Sequence, residues 1–426
     1  MRQKLFSELR TIYETTAEDP HTFRLSIKMK DLIDGDILRD VVNSTAGRYP
    51  YFLVRMVREC ADIFFESNEL PLPVINTGDR ITLGTEETNY HLLAVCYWQN
   101  WLHVDCYHGL TDGGGLHPMI MTLLHMYISA YYGIELDTTG IRLPGSEVLE
   151  AEWNDPGAVI LPPHRDGLTS KWSSPAFQID ESRVHLKPES IVTTIGISEK
   201  EFIPFSMSND GSPATIVSLL LARSLDMVHP VEADPVVIAM CVNQRKALGA
   251  PLAHQSLVGD VRLVYNDKLK KIPFMHQATC FRGMVALQSD HEMVLDEIRD
   301  YQELMQELSA TDSFEERHKI CVRRMENLSR CVTATVSYIG KANMGAMENY
   351  LQEFDPLPST ALPSMHTPLT IEMVSMNGLI VLNFIQYFPE MEYFSLFVKQ
   401  LRENNINYNV LRQEKALYPL MKMPED

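Results

Sequence analysis

The chain has 426 residues, with 37 Lys and Arg against 56 Asp and Glu, so its formal net charge is −19 at pH 7. Hydrophobic residues make up 45% of it, which is enough for a sizeable core and excludes disorder for most of the chain. The acidic excess argues against sequence-independent nucleic-acid binding and against docking on an anionic membrane, because both depend on cationic side chains. Any anionic ligand is therefore expected to meet a local basic patch.

The cysteines indicate a reducing compartment. There are seven, an odd number, and none forms a C-x-x-C pair. This argues against a disulfide framework and against a cysteine-based zinc site. The N-terminus lacks the apolar run of a signal peptide, and no stretch approaches 18 apolar residues. We therefore expect a cytoplasmic globular protein without a membrane span.

The first part of the chain alternates strand and helix signals. Apolar periodicity predicts strands at 22–29, 51–57, 89–97 and 101–107, and helices at 35–46 and 116–132. Asp34 is a plausible cap for the first of these helices, and Gly133 ends the second. Prolines in the stretch 70–75 indicate an extended connector.

Residues 140–190 differ from the rest because they carry six prolines and few periodic apolar residues. We interpret them as a long surface excursion and linker between two halves. The predicted division is an N-terminal half of residues 1–165 and a C-terminal half of residues 166–426.

The second part of the chain repeats the rough order of strands and helices. Ser212 and Pro213 open a helix at 214–228, and Asn377-Gly378 is the best hairpin signal in the chain. Further predicted elements are strands at 236–242 and 333–339, helices at 290–308, 313–331 and 390–403, and a polar tail. The repeated order is typical of a pseudo-duplicated α+β sandwich.

Residues 101–118, WLHVDCYHGLTDGGGLHP, are the most informative stretch. Strand alternation places His108 on the same face as Leu102, Val104 and Cys106, at the end of the strand. A glycine turn follows, beginning at Asp112. A histidine at such a place can point its ring into a cleft, and the aspartate can fix the turn. The alternative is an ordinary strand-end histidine beside a flexible loop.

Other chemistries find little support. A zinc site is conceivable from the four side chains His103, Asp105, His108 and His117, but alternation puts His103 and Asp105 on the face opposite His108. No metal site is therefore predicted. The chain has no G-x-S-x-G elbow and no phosphate-binding G-x-x-x-x-G-K-[ST] loop. Lys268, Lys270 and Lys271 form the densest basic cluster, which we interpret as a solvated loop in preference to a site for coenzyme A phosphates.

The segment HGLTDG, from His108 to Gly113, is an H-x-x-x-D-G motif between a strand and a helix. It resembles the active-site signature of the chloramphenicol acetyltransferase-like superfamily, which includes condensation domains, alcohol acetyltransferases and wax ester synthases. Other stretches are similar to this superfamily: RLSIKMKDLIDGDILRDVVNSTAGRYPYFLVRM, SPATIVSLLLARSLDM, VVIAMCVNQR and SYIGKAN. The chain departs from it where many members have a first histidine and this one has Tyr107, and in lacking the D-F-G-W-G element of plant members.

The resemblance implies an α+β fold of two chloramphenicol acetyltransferase-like sandwich halves, which form a V around a central tunnel. It implies that His108 is the general base and that Asp112 is structural, with Arg245 as its ion-pair partner. The backbone N–H of Gly113 and the Ser337 hydroxyl become candidates to stabilise the oxyanion. Further substrate or oxyanion candidates are Asn343 and Tyr107. For Ser337, an ordinary strand hydroxyl is the alternative.

The implied function is transfer of an acyl group from acyl-CoA, as co-substrate, to a hydroxyl or amine of a small acceptor, without a covalent acyl-enzyme. Two alternatives stay open. One is a stand-alone condensation enzyme that takes its acyl group from a phosphopantetheinyl carrier protein, which a charge of −19 disfavours because such carriers are usually acidic. The other is a non-catalytic binding module, which the intact His108 and Asp112 argue against. A monomer is expected because one chain supplies both halves.

Overall fold

The computed structural model describes residues 2–3, 9–16, 20–158, 161, 171–179, 191–230, 234–358, 367–415 and 420–424. In these ranges the strands are β1 Arg2–Gln3, β2 Thr22–Met29, β3 Val54–Glu59, β4 Asp62–Ser67, β5 Val74–Asn76, β6 Thr82–Leu83, β7 Leu93–Trp98, β8 Trp101–Tyr107, β9 Ile191–Ser198, β10 Val236–Asn243, β11 Val258–Tyr265, β12 Ala334–Lys341, β13 Leu351–Pro358, β14 Leu369–Met376, β15 Leu379–Gln386, β16 Tyr408–Lys415 and β17 Leu420–Met421. The helices are α1 Leu9–Glu14, α2 Gly35–Ala46, α3 Gly113–Tyr132, α4 Glu150–Trp153, α5 Glu199–Ser208, α6 Pro213–Val228, α7 Asp267–Lys270, α8 Phe274–Gln288, α9 His291–Ser309, α10 Phe314–Ser329 and α11 Glu392–Glu403.

A five-stranded sheet in the order β13-β2-β8-β7-β5 forms the frame of the first half. One face of it is apolar and packs with α2 and α3 in a hydrophobic core that includes Leu25, Val104 and Leu116. The predicted bounds of β2, β8 and α2 are confirmed, because their periodicity and caps agree. Asp34 accepts hydrogen bonds from the first-turn N–H groups of α2, and Gly133 ends α3 in the left-handed region. Two small sheets, β1-β4-β3 and β17-β6, lie outside this frame.

A seven-stranded sheet in the order β11-β10-β12-β14-β15-β9-β16 forms the frame of the second half. Its apolar face packs against α6, α8 and α11 in a second core. Ser212 caps α6 with Pro213 in the first turn, as predicted. The hairpin prediction is also confirmed, since β14 and β15 pair antiparallel across Asn377 and Gly378, which both have positive φ.

Two strands join sheets although no sequence pattern predicted it. Leu351–Pro358, late in the chain, pairs antiparallel with β2 and so becomes the edge strand of the first sheet. The supposed polar tail after α11 contains β16, which pairs with β9 at the edge of the second sheet. That part of the prediction was wrong, because β16 is exposed along most of its length and lacks an apolar face to reveal it. Helices α5 and α8 were also missed.

The predicted excursion at 140–190 is only partly described, since residues 159–160, 162–170 and 180–190 lie outside the described residues. Its first part is anchored in the protein, which differs from the surface excursion that was predicted. The Glu152 side chain is 1% exposed and accepts hydrogen bonds from the guanidinium groups of Arg48 and Arg142 and from the Tyr51 hydroxyl. A buried carboxylate with this many donors fixes the segment to the first half.

Candidate active site

His108 lies directly after β8, where the first sheet ends. Its backbone N–H donates a hydrogen bond of 2.7 Å to the carbonyl of His21, which holds the strand end beside β2. Its ring packs edge-on against Phe23, with 5.2 Å between ring centroids. The residue is half-buried, so part of the imidazole surface stays accessible. The backbone is therefore fixed while the ring can still meet a small molecule.

Asp112 caps helix α3 and receives donors from both halves. Its carboxylate accepts the N–H of Gly115 at 2.8 Å and the N–H of Leu257 at 2.9 Å. It also forms a bidentate ion pair with Arg245, with N–O distances of 2.9 and 2.8 Å. The predicted partnership of these two side chains is thus present in the structure. Both carboxylate oxygens of Asp112 accept hydrogen bonds, and the residue is only 2% exposed. This arrangement fits a structural place for the side chain.

Arg245 itself has no donor to spare for a substrate in this arrangement. Its Nε bonds the carbonyl of Ala253 at 2.9 Å, and a terminal nitrogen bonds the carbonyl of Gln255 at 2.6 Å. The Asn243 side chain accepts the backbone N–H of Arg245 at 3.0 Å. The N-x-R element of the second half is thereby locked onto the D-G turn of the first half.

The glycines after Asp112 allow the close approach of the two halves. A Cβ on Gly115 would lie 2.0 Å from the carbonyl oxygen of His254, and one on Gly114 would lie 2.9 Å from the Arg245 guanidinium. The Thr111 hydroxyl donates a hydrogen bond of 2.5 Å to the same His254 carbonyl. Only residues without a side chain fit at Gly115 without moving backbone.

Strand β12 passes the turn that His108 begins. A Cβ on Gly113 would contact Ile339 at 3.6 Å, an ordinary van der Waals distance. Ser337 precedes Ile339 by two residues and so shares its face of the sheet. The turn of Gly113 and the strand of Ser337, both singled out in the sequence, are therefore brought together.

Two other candidates make contacts within the protein. Tyr107 is 0% exposed and its hydroxyl lies 2.9 Å from the hydroxyl of Thr15 in a buried cluster. Asn343 lies beyond the end of β12, where it is exposed and its side-chain oxygen accepts the N–H of Gly345 at 3.2 Å. Substrate or oxyanion contact by either residue stays a prediction.

Glu372 is a side chain that sequence reasoning missed. In the register of β12 and β14 it lies directly opposite Ser337. Burial raises its pKa to about 7. The residue nevertheless keeps some accessible surface. A single Glu in the apolar strand LTIEMVSM was the only available signal.

The conceivable zinc ligands are separated in space. His103 hydrogen-bonds Ser26 at 2.8 Å, and burial together with the nearby Arg24 lowers its pKa to about 3. Asp105 is paired with Arg24 at 2.7 Å. Within the described residues, no group of three or more His, Cys, Asp or Glu side chains is arranged to bind a metal ion.

The basic cluster of the second half contributes little free charge. Lys270 is bound to Asp226 at 2.8 Å and Lys271 to Asp267 at 2.6 Å. Both pairs fit the solvated-loop interpretation. As to membranes, none of the helices in the described ranges combines the length and apolar character needed to cross a bilayer.

The whole fold is similar to that of several solved proteins. TRI101 of F. sporotrichioides, complexed with coenzyme A and T-2, has a TM-score of 0.63 and 10% identity, over 96% of this chain and 99% of that chain. Polyketide synthase associated protein 5 from Mycobacterium tuberculosis has a TM-score of 0.60 and 12% identity, over 94% of this chain and 96% of that chain. The first condensation domain of the CDA synthetase has a TM-score of 0.61 and 10% identity, over 95% of this chain and 96% of that chain.

The chain has the chloramphenicol acetyltransferase-like fold. The likeness covers 94–96% of the chain. No family model and no curated protein sequence matches the chain. At 10–12% identity the similarity concerns the fold, and the residues around His108 carry any argument about chemistry.

Proposed function

We propose that this protein is an acyltransferase that moves an acyl group from acyl-CoA to a hydroxyl or amine of a small acceptor. A ring nitrogen of His108 takes the acceptor's proton while the acceptor oxygen or nitrogen attacks the thioester carbonyl. The carbon–sulfur bond then breaks, and the leaving thiolate takes the proton from His108. The products are the ester or amide and free coenzyme A, and no acyl-enzyme forms.

The observation that carries this proposal is the anchoring of the histidine's turn. His108 is fixed at a strand end, and four residues on, Asp112 is paired with Arg245 from the other half. A base held this way keeps one position relative to both halves. In the proposal, residues 1–165 and 166–426 form the two walls of a tunnel with His108 near its middle, and the two substrates enter from opposite sides. The N–H of Gly113 and the hydroxyl of Ser337 are the proposed donors to the oxyanion.

Two fold neighbours support the donor class. TRI101 was solved with coenzyme A, and a starter condensation domain of rhizomide synthetase was solved with C8-CoA. The test is thiol release from a panel of acyl-CoA donors with a panel of alcohols and amines. His108→Ala is expected to abolish turnover and to keep the melting temperature of the wild type. His276→Ala, which removes an exposed histidine on α8, is the matched control and is expected to keep full activity. Full activity of His108→Ala would overturn the assignment of the base.

A carrier protein is the second candidate donor, because condensation domains share the fold. Turnover with free acyl-CoA should be compared with turnover of the same acyl group on a phosphopantetheinyl carrier protein. The net charge of −19 disfavours the docking of an acidic carrier protein. A carrier-bound donor that is turned over much faster would reverse the assignment.

A further inference from the structure

Glu372 belongs to a polar row on the face of the seven-stranded sheet that looks toward the first half. Cross-strand register places Ser337 and Asn383 directly beside it, on β12 and β15. Two residues further along β14, on the same face, Val374 packs into the core of the first half. Glu372 therefore points away from the helices of the second half.

The same face reaches the turn that His108 begins. Ile339 packs against the core of the first half and lies in van der Waals distance of a Cβ on Gly113. Strand geometry puts Ser337 about 7 Å along the strand from Ile339 and Glu372 about 5 Å across from Ser337. The Glu372 carboxyl is thus within the reach of a small molecule whose other end lies at the turn.

This carboxyl has no cationic partner among the residues that the structure describes. Cys241 and Asp260 lie on the next strands, opposite each other in register, and Asp260 is paired with Arg262. The amide of Asn383 donates to the Asp355 carboxylate and to the carbonyl of Pro356, and Asp355 is paired with Arg412. The nearby cations are thus bound to other carboxylates. A carboxylate removed from water is stable only when a cation or several donors compensate it. The missing compensation at a side chain that keeps some exposure points to a ligand.

We propose that Glu372 binds a cationic amine of the acceptor, so that the acceptor is a small amino alcohol or diamine whose other end is acylated beside His108. This inference rests on the proposed function, because it assigns one end of the acceptor to the base. The charge of Glu372 selects the class of acceptor, and other residues select the acyl chain of the donor.

The test compares 5-aminopentan-1-ol with pentane-1,5-diol, which match in length and differ in charge. With an active acyl-CoA at pH 8, the wild type is expected to favour the amino alcohol in kcat/KM by about tenfold or more, as for a hydrogen bond to a charged group. Glu372→Gln should lose that preference. Glu403→Gln, an exposed glutamate on α11, is the matched control and should behave as the wild type. Equal kcat/KM for the two acceptors in the wild type overturns the inference.

A binding measurement separates this inference from the proposed function. Calorimetric titration of 5-aminopentan-1-ol into the wild type and into His108→Ala should show binding in both, and Glu372→Gln should lose it. Binding without any thioester turnover would remove the proposed function and leave the cation site. The cation site would be excluded if the wild type turns over thioester but Glu372→Gln still binds 5-aminopentan-1-ol as the wild type does. It would also be excluded if the wild type does not bind this amino alcohol. If Glu372→Gln does not fold, Glu372→Asp takes its place, with weakened binding expected from the shorter reach.

Discussion

Asp112 and Arg245 are 133 positions apart in the chain, and their side chains form a bidentate ion pair at 2.8 and 2.9 Å. Both are nearly inaccessible, with side-chain exposures of 2% and 8%. The carboxylate caps a helix of the first half while the guanidinium is held by carbonyls of the second half. The pair therefore couples the position of the His108 turn to the packing of the two halves.

Removal of the cation should strongly destabilise the protein. Arg245→Gln leaves the Asp112 carboxylate buried without its partner, which is expected to reduce the free energy of unfolding by about 3–5 kcal/mol. Arg39→Gln breaks an exposed pair with Asp36 and should change it by less than about 1 kcal/mol. Urea denaturation followed by circular dichroism measures both. Similar losses for the two variants would show that the buried pair is not a structural constraint.

A methyl group at Gly115 should be poorly tolerated. Its Cβ would meet the His254 carbonyl at 2.0 Å, and backbone cannot give way as a flexible side chain can. Gly115→Ala is expected to cost about 2 kcal/mol or more in unfolding free energy. Gly283→Ala offers a control of opposite sign, since nothing lies within 4 Å of its Cβ on the exposed face of α8. It should stabilise the protein by about 0.5–1 kcal/mol through helix propensity. A neutral Gly115→Ala contradicts the close-packed turn.

Local sequence signals predicted the elements around the site. The strands that these signals missed depend on pairing with distant segments. Periodicity and capping were sufficient for β2, α2, β8 and the start of α6, because neighbouring residues determine those features. β13 and β16 depend on partners far away in the chain, and no local pattern announces which sheet a strand will join.

The candidate site shows the same limit. The H-x-x-x-D-G motif located His108 and Asp112, and the N-x-R element located Arg245. Glu372 becomes a neighbour of Ser337 only through the register of β12 and β14. Tyr107 is a candidate in the sequence because it precedes His108, and its complete burial beside Thr15 depends on residues distant in the chain.

The free energy of unfolding should depend on pH through the titration of Glu372. Its pKa is raised to about 7 in the folded state, from 4.5, mainly by burial. The folded state therefore binds this proton more tightly, so the contribution is fully present below pH 4.5 and is lost as the pH rises to about 7. The upper limit of the loss is about 3 kcal/mol. Unfolding free energies of the wild type and Glu372→Gln should be compared between pH 4 and pH 8, and the variant should gain on the wild type at the higher pH. A constant difference over that range contradicts the shifted pKa.

Tyr107 provides a test of which residues next to His108 take part in chemistry. Its hydroxyl is buried and bonded to Thr15, so Tyr107→Phe removes one internal hydrogen bond and leaves the packing of the ring. The unfolding free energy is expected to fall by about 1 kcal/mol. The kcat/KM for acyl transfer should stay within about twofold of the wild type, because no contact with the reacting atoms is lost. Thermal unfolding and thiol-release kinetics on the same preparation measure the two effects. A large fall in kcat with unchanged stability would instead show that the Tyr107 hydroxyl takes part in the reaction. Many members of the superfamily have a first histidine at this position.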